Sequence, residues 1–483
     1  MTTALHALSA AELTRAYAAR SLSPLEVTQA LLAHAQAWEP HIAATWDVRS
    51  CVADEALTMA RASQARWMRG QQLGPLDGVP VTIKENIATR GVPMPLGTAA
   101  SDLLPAAADA PPAARLREAG AVFLARTTMP DYGMLSSGLS SFHTLSRNPW
   151  NLRKTPGGSS AGAGAAAAAG YGPIHLGTDI GGSIRLPATW CGVVGFKPSD
   201  GRVPIFPPYI GRAAGPLSRT VGDAALALSV LSRPDARDAT SLPPNDLPWA
   251  QVLDDDHTDP SRVLRGLRIG LLLDAGWGLP LHAEVRAAIE NAAVLLASAG
   301  AHVQPLAAFT TPEMAQGIET FWRMRSWLDI GKLPLERRQR VLPYIRDWVA
   351  PAAGYSAAQV FEGHSQFAAL RDAAVTACQP FDFVISPVAP GVAGAAEAPS
   401  PSGDPRRAMV HIAYTLPCNM SGQPAVSVPC AHDGSGLPIG LQIIGRRHDD
   451  LGVLRMARAW ERLRPANCLQ PWPSCPSELP AAV

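Results

Sequence analysis

The sequence predicts an α/β protein in which a central β-sheet carries helices on its faces. Short apolar runs alternate along the chain with segments of helical periodicity, and this alternation is typical of such sheets. Of the 483 residues, 47% are hydrophobic and only 17% are charged, whereas ordinary globular chains contain roughly 25% charged residues. Because a chain of this length buries about three quarters of its unfolded surface, we expect a well-packed globular protein.

The N-terminal region is predicted to be helical. Ser9 precedes Glu12 with the spacing of a capping box, and Ser23-Pro24-Leu25-Glu26 repeats that spacing with proline at the first helical position. Residues 52–70 favour a further, polar helix.

Strands and helices then alternate. The run Val79-Pro80-Val81-Thr82-Ile83 favours a strand. Residues 112–120 favour a helix that ends at Gly120, and residues 121–124 favour a buried strand. The later elements that the sequence predicts are a strand at 267–273, a helix at 283–299, helices within 305–375 and a strand at 381–385.

The middle of the chain contains two glycine-serine turns around a helix of very small residues. Residues 156–172 have the sequence PGGSSAGAGAAAAAGYG, and a second turn follows at 177–183. Such turns indicate a close approach of the backbone to another group, and consecutive glycines before a serine can direct several N–H groups at one point. This is the arrangement of an oxyanion hole beside a nucleophile; a flexible glycine-alanine connector is the alternative.

Composition excludes several classes of function. The net charge of +1 removes the attraction on which non-specific nucleic-acid binding depends, so we expect no nucleic-acid partner. No apolar run approaches the ~18 residues of a membrane span, and residues 1–20 lack the apolar stretch of an export signal. The seven cysteines are scattered and the histidines lack metal-ligand spacing, so we expect a cytoplasmic protein without a metal or other cofactor.

Two residues could carry chemistry on local grounds. Ser160 is the central serine of a Gly-x-Ser-x-Gly pattern, but residues 151–157 before it are not the core strand that a nucleophile elbow requires. Lys84 follows an apolar strand, where desolvation could remove its proton near neutral pH; a lysine that extends its amine to solvent is the alternative.

The combination of three segments is more informative than either residue alone. Residues 78–86 (GVPVTIKEN), 156–162 (PGGSSAG) and 177–185 (GTDIGGSIR) together resemble the amidase signature family. Ser159 and Ser183 are separated by 183 − 159 = 24 positions, as in that family. Further matching segments are residues 125–130, 192–198, 215–221, 419–425 and 436–442.

The resemblance implies a fold and a division of the chain. We expect one domain over residues 1–483, with a mixed, mostly parallel central sheet covered by helices on both faces. Its parts are a helical N-terminal segment (about 1–70), a signature core (about 75–235), a variable helical insertion (about 305–375) and a proline-rich tail (about 464–483).

The resemblance also assigns roles to individual residues. Ser183 would be the nucleophile, Ser159 a bridging serine that follows a cis peptide bond, and Lys84 the base. The oxyanion hole would be formed by the backbone N–H groups of Ile180, Gly181, Gly182 and Ser183. Gly133 and Ser159 would face the substrate, and Asp179 and Arg185 would support the turns.

Aromatic and apolar residues elsewhere could build the substrate pocket. The candidates are Met129, Tyr132, Phe206, Pro207, Tyr209, Phe321, Trp322 and Trp327. For the aromatic residues at 321–327, a place in a helical core is the alternative.

Three functions remain open at this point. The first is a stand-alone hydrolase that cleaves small-molecule amides, with hydrophobic or aryl amides favoured and carbamates (urethanes) and esters included. The second is the glutaminase subunit of a tRNA-dependent amidotransferase, in which an aspartate typically precedes a tyrosine-threonine pair to bind the amino group of glutamine. Here Ile412 and Ala413 precede Tyr414-Thr415, which favours the first function. The third is a non-catalytic binding scaffold; a homodimer is the default assembly.

Overall fold

The computed structural model of the chain describes residues 4–46, 52–254, 259–468 and 472–476. Within these residues the α-helices are α1 (Ala10–Ala18), α2 (Pro24–Ile42), α3 (Val52–Arg69), α4 (Pro111–Glu118), α5 (Ala161–Ala169), α6 (Arg185–Cys191), α7 (Val221–Leu231), α8 (Gln251–Asp254), α9 (Pro260–Leu264), α10 (Ala283–Ser298), α11 (Pro312–Gly331), α12 (Leu335–Arg338), α13 (Pro343–Val349), α14 (Ala357–Cys378), α15 (Leu416–Ser421) and α16 (Asp450–Leu463). The strands are β1 (Pro80–Lys84), β2 (Val122–Thr127), β3 (Ile174–Asp179), β4 (Val194–Lys197), β5 (Ala213–Ser218), β6 (Arg268–Leu271), β7 (His302–Pro305), β8 (Phe383–Pro387), β9 (Ala425–His432) and β10 (Pro438–Gly445).

The strands form one sheet of ten strands in the order β2-β1-β3-β5-β4-β9-β10-β8-β6-β7. The predicted α/β class and mixed sheet are confirmed. The parallel pairings, however, lie at the two ends, where β1 pairs with β2 and β3, and β6 pairs with β7 and β8. Between β3 and β8 all neighbours are antiparallel.

Connection lengths explain this distribution. A parallel pair needs a crossover of about a dozen or more residues, usually through a helix, whereas antiparallel strands can be joined by a short turn. Helix α10 connects β6 with β7, and α4 lies between β1 and β2. The short loop 433–437 instead joins β9 to β10 as an antiparallel pair.

Helices cover both faces of the sheet, as predicted. On one face α7 packs against β5, α10 against β8, and α16 against β9 and β10. On the other face α5 and α6 pack against β3, β4 and β5. Strand β5 shows the alternation directly, because Ala214 belongs to the large cluster beneath α7 while Leu217 belongs to the small-residue cluster formed with α5 and α6.

Local signals determine where the N-terminal helices begin. The Ser9 hydroxyl oxygen accepts from the Glu12 N–H, and the Ser9 N–H donates to the Glu12 carboxylate, so the predicted capping box is confirmed. Ser23 likewise caps α2, with Pro24 at its first position. Residues 1–3 and 47–51 of the predicted helical segment lie outside the described residues, as do residues 469–471 and 477–483 of the predicted tail.

The predicted helices within 305–375 are present as α11 to α14, and α11 packs along α14. In the part of the chain that the structure describes, no helix combines the length and hydrophobicity needed to cross a bilayer.

A buried ion pair fixes the loop that follows β4. Arg202 Nε donates to Asp450 Oδ2 at 3.0 Å, and the Ser199 N–H donates to Asp450 Oδ1 at 2.7 Å. Asp450 is the first residue of α16 and is completely buried. The loop 198–212 is therefore attached to the end of a helix that packs on the sheet.

Because of this attachment, we expect alanine substitutions at the neighbouring residues Asp449 and Asp450 to lower the free energy of unfolding by different amounts. Asp450→Ala leaves a buried guanidinium unpaired, so we expect the free energy of unfolding to fall by about 3–5 kcal/mol. Asp449 is the N-cap of α16, and Asp449→Ala should cost only about 1 kcal/mol. Urea unfolding followed by circular dichroism measures both, and equal losses would contradict the importance of the Arg202–Asp450 pair.

Candidate active site

The site lies where two neighbouring parallel strands end. Lys84 is the last residue of β1 and Asp179 is the last residue of β3. Because these strands run parallel, their carboxyl ends meet at the same edge of the sheet. The turn 156–160, which leads into α5, and the turn 180–184, which leads into α6, complete the site.

The amine of Lys84 is completely buried and faces hydroxyl groups. Its Nζ donates to Ser159 Oγ at 2.8 Å and to Ser160 Oγ and Thr178 Oγ1 at 3.1 Å each. Burial, and secondarily the positive charge of Arg212, lower the pKa of Lys84 well below its usual value. The alternative of a lysine that extends to solvent is therefore wrong, because no part of this side chain is exposed.

The two serine-bearing turns contact each other through the backbone. The Gly158–Ser159 peptide bond is cis, as the resemblance predicted. The N–H of Ser160 donates to the carbonyl of Ser183 at 3.2 Å, so the turn that carries Ser183 lies beside the cis-bonded pair. Within the described residues no hydrogen bond joins the hydroxyls of Ser159 and Ser183, and Ser183 is half-buried at the edge of a cavity.

Ser160 has a position unlike that of a nucleophile. It is completely buried, and its hydroxyl donates to the Thr178 carbonyl at 3.1 Å while accepting from the Thr178 N–H at 3.3 Å. With Lys84 as a third partner, the hydroxyl is fully engaged inside the protein. The Gly-x-Ser-x-Gly match is thus a structural turn that helps to hold Lys84.

Asp179 and Arg185 form a buried ion pair beneath the second turn. Arg185 donates through Nη2 to Asp179 Oδ1 at 2.9 Å and through Nε to Oδ2 at 3.1 Å. Burial alone would raise the pKa of Asp179, but the charge and hydrogen bonds of Arg185 outweigh it and hold the pKa below its usual value. Asp179 is therefore ionised at neutral pH and can accept from the backbone of the turn.

The remaining Arg185 donors reach the C-terminal part of the chain. Its Nη2 donates to Asn419 Oδ1 at 2.7 Å, and its Nη1 donates to Gln442 Oε1 at 2.7 Å and to the Thr415 carbonyl at 2.9 Å. Asn419 Nδ2 in turn donates a hydrogen bond to Asp179 Oδ1 at 2.9 Å. Asn419 and Gln442 lie in segments that match the family pattern, but nothing local in the sequence connects either residue with residue 185, so their role was not predicted.

The peptide between Gly181 and Gly182 is engaged at both ends. Thr415 Oγ1 donates to the Gly181 carbonyl at 2.6 Å, and the Gly182 N–H donates to Asp179 Oδ1 at 2.8 Å. Gly182 has φ = +124°, and a Cβ there would lie 2.6 Å from Thr415 Oγ1. Glycine is therefore required at this position on grounds of both backbone conformation and space.

This geometry corrects the predicted oxyanion hole in one respect. The N–H of Gly182 is already used by Asp179 and is not available to a substrate oxygen. Within the described residues, the N–H groups of Ile180, Gly181 and Ser183 have no hydrogen-bond acceptor. These three donors remain candidates for the oxyanion hole.

Gly133, which the resemblance assigns to the substrate-facing surface, lies beside Ser159. It adopts φ = +72°, and a Cβ at this position would lie 3.2 Å from Ser159 Oγ and 3.1 Å from Met129 Cε. Both Gly133 and Ser183 line the same cavity.

The cavity has a volume of about 140 Å³ and is largely apolar. The lining residues are Tyr132, Gly133, Met134, Leu135, Ser136, Ile180, Gly181, Ser183, Trp322, Arg325, Ser326, Trp348, Ala408, Met409, His411 and Ile412. None of them is an aspartate or a glutamate, and Ile412 Cδ1 would lie only 2.9 Å from a Cβ at Gly181. An apolar branched side chain therefore stands beside the turn that precedes Ser183.

The predicted pocket residues divide into three groups. Tyr132 and Trp322 line the cavity, and Met129 lies behind Gly133. Phe321 instead packs against His364 and Phe367 between α11 and α14, as the helical-core alternative predicted. Trp327, Phe206 and Pro207 are exposed, and neither they nor Tyr209 belong to the cavity lining.

Over the ranges that the structure describes, no three His, Cys, Asp or Glu side chains come together as a metal site would require.

Comparisons with known proteins agree with this geometry. The family model described as Amidase matches residues 26–454. The chain is 35% identical over 476 residues to a glutamyl-tRNA(Gln) amidotransferase subunit of Anaeromyxobacter sp. (strain K), and the match covers 92% of this chain and 94% of that protein. It superposes on a bacterial aryl acylamidase with a TM-score of 0.85 and 30% identity, over 95% of this chain and 96% of the other. A peptide amidase from Stenotrophomonas maltophilia gives a TM-score of 0.80 and 26% identity, over 97% and 98% of the two chains.

The family match spans most of the chain, and these relatives align over nearly their whole length. The chain therefore belongs to the amidase signature family and is an enzyme that hydrolyses carbon–nitrogen bonds.

Proposed function

We propose that the chain hydrolyses amides through an acyl-enzyme on Ser183, with Ser159 and Lys84 as the proton relay. The observation that carries this proposal is the buried amine of Lys84, 2.8 Å from Ser159 Oγ and without a carboxylate partner in the described residues. A neutral Lys84 accepts the Ser159 proton, Ser159 accepts the Ser183 proton, and Ser183 Oγ attacks the substrate carbonyl.

The later steps use the same groups in reverse. The N–H groups of Ile180, Gly181 and Ser183 stabilise the oxyanion, and each such donor is worth roughly 3–4 kcal/mol in the transition state. As the intermediate collapses, the carbon–nitrogen bond breaks and Ser159 delivers a proton to the leaving amine. Water then hydrolyses the acyl-enzyme and restores the Ser183 hydroxyl.

The cavity supports a hydrophobic or aryl amide as substrate of a stand-alone enzyme. Aromatic and aliphatic side chains, among them Trp322, Trp348 and Ile412, form most of its wall. Their burial against a substrate contributes about 25 cal/mol per Å² of apolar area. Carbamates and esters present the same carbonyl to Ser183 and fall within the proposed range.

The second candidate function is the glutaminase subunit of a tRNA-dependent amidotransferase. The curated relatives reported above favour it, since they carry the amidotransferase name at 35% identity. The cavity favours the stand-alone hydrolase, because the ammonium group of glutamine would find no carboxylate among the lining residues and would lose hydration without compensation.

We expect the proposed relay to respond sharply to substitution. Ser183→Ala and Lys84→Ala should each lower kcat by at least about a thousandfold while the protein stays folded. When residues act together as one catalytic unit, the loss of any one of them removes most of the rate enhancement. Steady-state hydrolysis of an anilide, with circular dichroism as the folding control, measures this.

A fluorophosphonate probe gives an independent readout of the nucleophile. It should label the native enzyme at Ser183 and leave Ser183→Ala unlabelled, whereas Ser160→Ala should retain labelling. Undiminished turnover by Ser183→Ala would refute the nucleophile assignment.

The pH profile reports the protonation of Lys84. Because the relay needs the neutral amine and burial lowers the pKa of Lys84, kcat/KM should fall as the pH drops through this lowered pKa. The acid limb should therefore lie well below the ordinary lysine value of about 10.4. The profile is measured between pH 5 and pH 10 on an anilide, and an acid limb near pH 10 would contradict a buried neutral lysine.

A substrate panel separates the two candidate functions. We expect hydrophobic anilides to be hydrolysed with a burst of amine release, and L-glutamine to be turned over at least about a hundredfold less efficiently. Matched anilide, carbamate and ester substrates rank the bond types.

Ile412→Asp provides the matched test of the cavity argument. The new carboxylate should improve glutamine relative to a hydrophobic anilide, because it supplies a partner for the substrate ammonium. Efficient glutamine hydrolysis by the native chain, above all if an added partner protein is required, would instead support the amidotransferase function.

A further inference from the structure

Two arginines lie beside the active-site cavity. Arg325 extends from α11 and lines the cavity together with Ser183 and Gly133. Its guanidinium carbon lies 4.2 Å from the centroid of the Tyr209 ring, a cation–π contact with the loop 198–212. The guanidinium is thereby held at the border between the cavity and this loop.

Arg212 belongs to the same loop and lies close to the turn 180–184. It immediately precedes Ala213, which pairs with Asp179 in the β3–β5 ladder. Its Nη1 donates to the Pro207 carbonyl at 3.2 Å, and its Nη2 donates to the Asn86 carbonyl at 3.4 Å. Among the described residues, no aspartate or glutamate oxygen lies within 4.0 Å of this guanidinium.

Positive charge therefore accumulates here without an equal counter-charge. Burial, and secondarily the charge of Arg325, lower the pKa of Arg212 to about 10, so Arg212 is still cationic at neutral pH. Arg325 Nε has Asp329 Oδ2 at 3.5 Å, but that pair is solvent-exposed and contributes little.

Tyr209 adds an unused donor to this region. Its hydroxyl is buried and has no hydrogen-bond partner in the described residues. An unpaired buried hydroxyl costs roughly 1–3 kcal/mol, and an anion at this place would provide an acceptor for it as well as a counter-charge for the arginines.

We propose that Arg212, Arg325 and the Tyr209 hydroxyl form a subsite for a carboxylate group of the substrate. The inference rests on the proposed hydrolase function and narrows its substrate class to amides that combine an apolar segment with a terminal carboxylate. Guanidinium groups match the planar geometry of a carboxylate. Since the cavity lining contains no aspartate or glutamate, a singly charged anion fits this site and a zwitterionic amino acid does not.

Two pairs of anilides test the subsite and locate the carboxylate. In the first pair, the monoanilide of adipic acid replaces the terminal methyl of hexananilide by a carboxylate. In the second pair, 4-(hexanoylamino)benzoate replaces the methyl of its toluidine analogue. One anionic member should have a kcat/KM at least about tenfold above its neutral partner, and added salt should reduce this preference.

Arg325→Gln and Arg212→Gln should each lower that ratio by roughly tenfold, towards one, as expected for lost hydrogen bonds to a charged group. We compare the ratio of kcat/KM values within a pair because Arg212 also influences the pKa of Lys84. That effect changes kcat/KM for both members of a pair equally and cancels in the ratio. Arg325→Lys should restore part of the preference. Arg286→Gln is the control, since Arg286 lies on α10 in an exposed pair with Glu290, and it should leave the ratio unchanged.

Binding to the Ser183→Ala variant, measured by calorimetry, provides a readout that does not require turnover. The anionic member should bind more tightly than its neutral partner, and Arg325→Gln should remove the difference. Hydrolysis of both members with ratios near one, or ratios insensitive to both arginine variants, overturns the subsite. Absence of turnover together with absence of fluorophosphonate labelling counts instead against the proposed hydrolase function.

Discussion

The burial of one amine that, among the described residues, has no carboxylate within ion-pair distance is the constraint on which the site depends. Lys84 ends a strand whose five residues are all buried, and its hydrogen bonds to described residues all go to hydroxyl groups. The carboxylate of Glu85, its neighbour in sequence, is directed elsewhere, to the Gly97 N–H and to His143. Had this carboxylate faced Lys84, the ammonium form would be stabilised. The alternation of side chains at the strand end thus helps to keep the pKa of Lys84 low.

A second requirement is that backbone donors point in two directions from one short turn. Asp179 binds the N–H groups of Gly182 and Ile184 on the inner side, while those of Ile180, Gly181 and Ser183 remain without an acceptor within the described residues. Arg185 keeps Asp179 ionised and joins it to Asn419 and Gln442. The orientation of the donors is therefore fixed before substrate arrives, and such preorganisation makes electrostatic stabilisation effective.

Sequence reasoning found what depends on local signals and missed what depends on distant contacts. The capping box at Ser9, strand β1 and the small-residue helix α5 follow from neighbouring residues. Strands β5 and β9 were not predicted, since each contains a proline, Pro216 or Pro429, that argues against a central strand. The antiparallel middle of the sheet, and the contacts of Arg185 with residues more than 200 positions away, leave no local trace.

The residues that the chain shares with its family bear on the type of reaction, and the residues of the cavity wall bear on the choice of substrate. In the proposed mechanism Ser183 forms and breaks the bond to the carbonyl carbon while Ser159 and Lys84 transfer the proton. These steps are the same whatever the substituents are, so relatives with different substrates can share them. The side chains that line the cavity determine which substrate substituents can be buried there with a favourable free energy. Where the resemblance leads us to expect an acid in the glutamine-using branch, this chain has Ile412 or Ala413. The proposed subsite adds the guanidinium groups of Arg325, which lines the cavity, and Arg212. Under the proposed subsite, the pocket accepts an anionic substituent where the glutamine-using branch binds an ammonium group. Overall identity to the amidotransferase relatives therefore supports a shared chemistry, and the wall residues carry the argument about substrate.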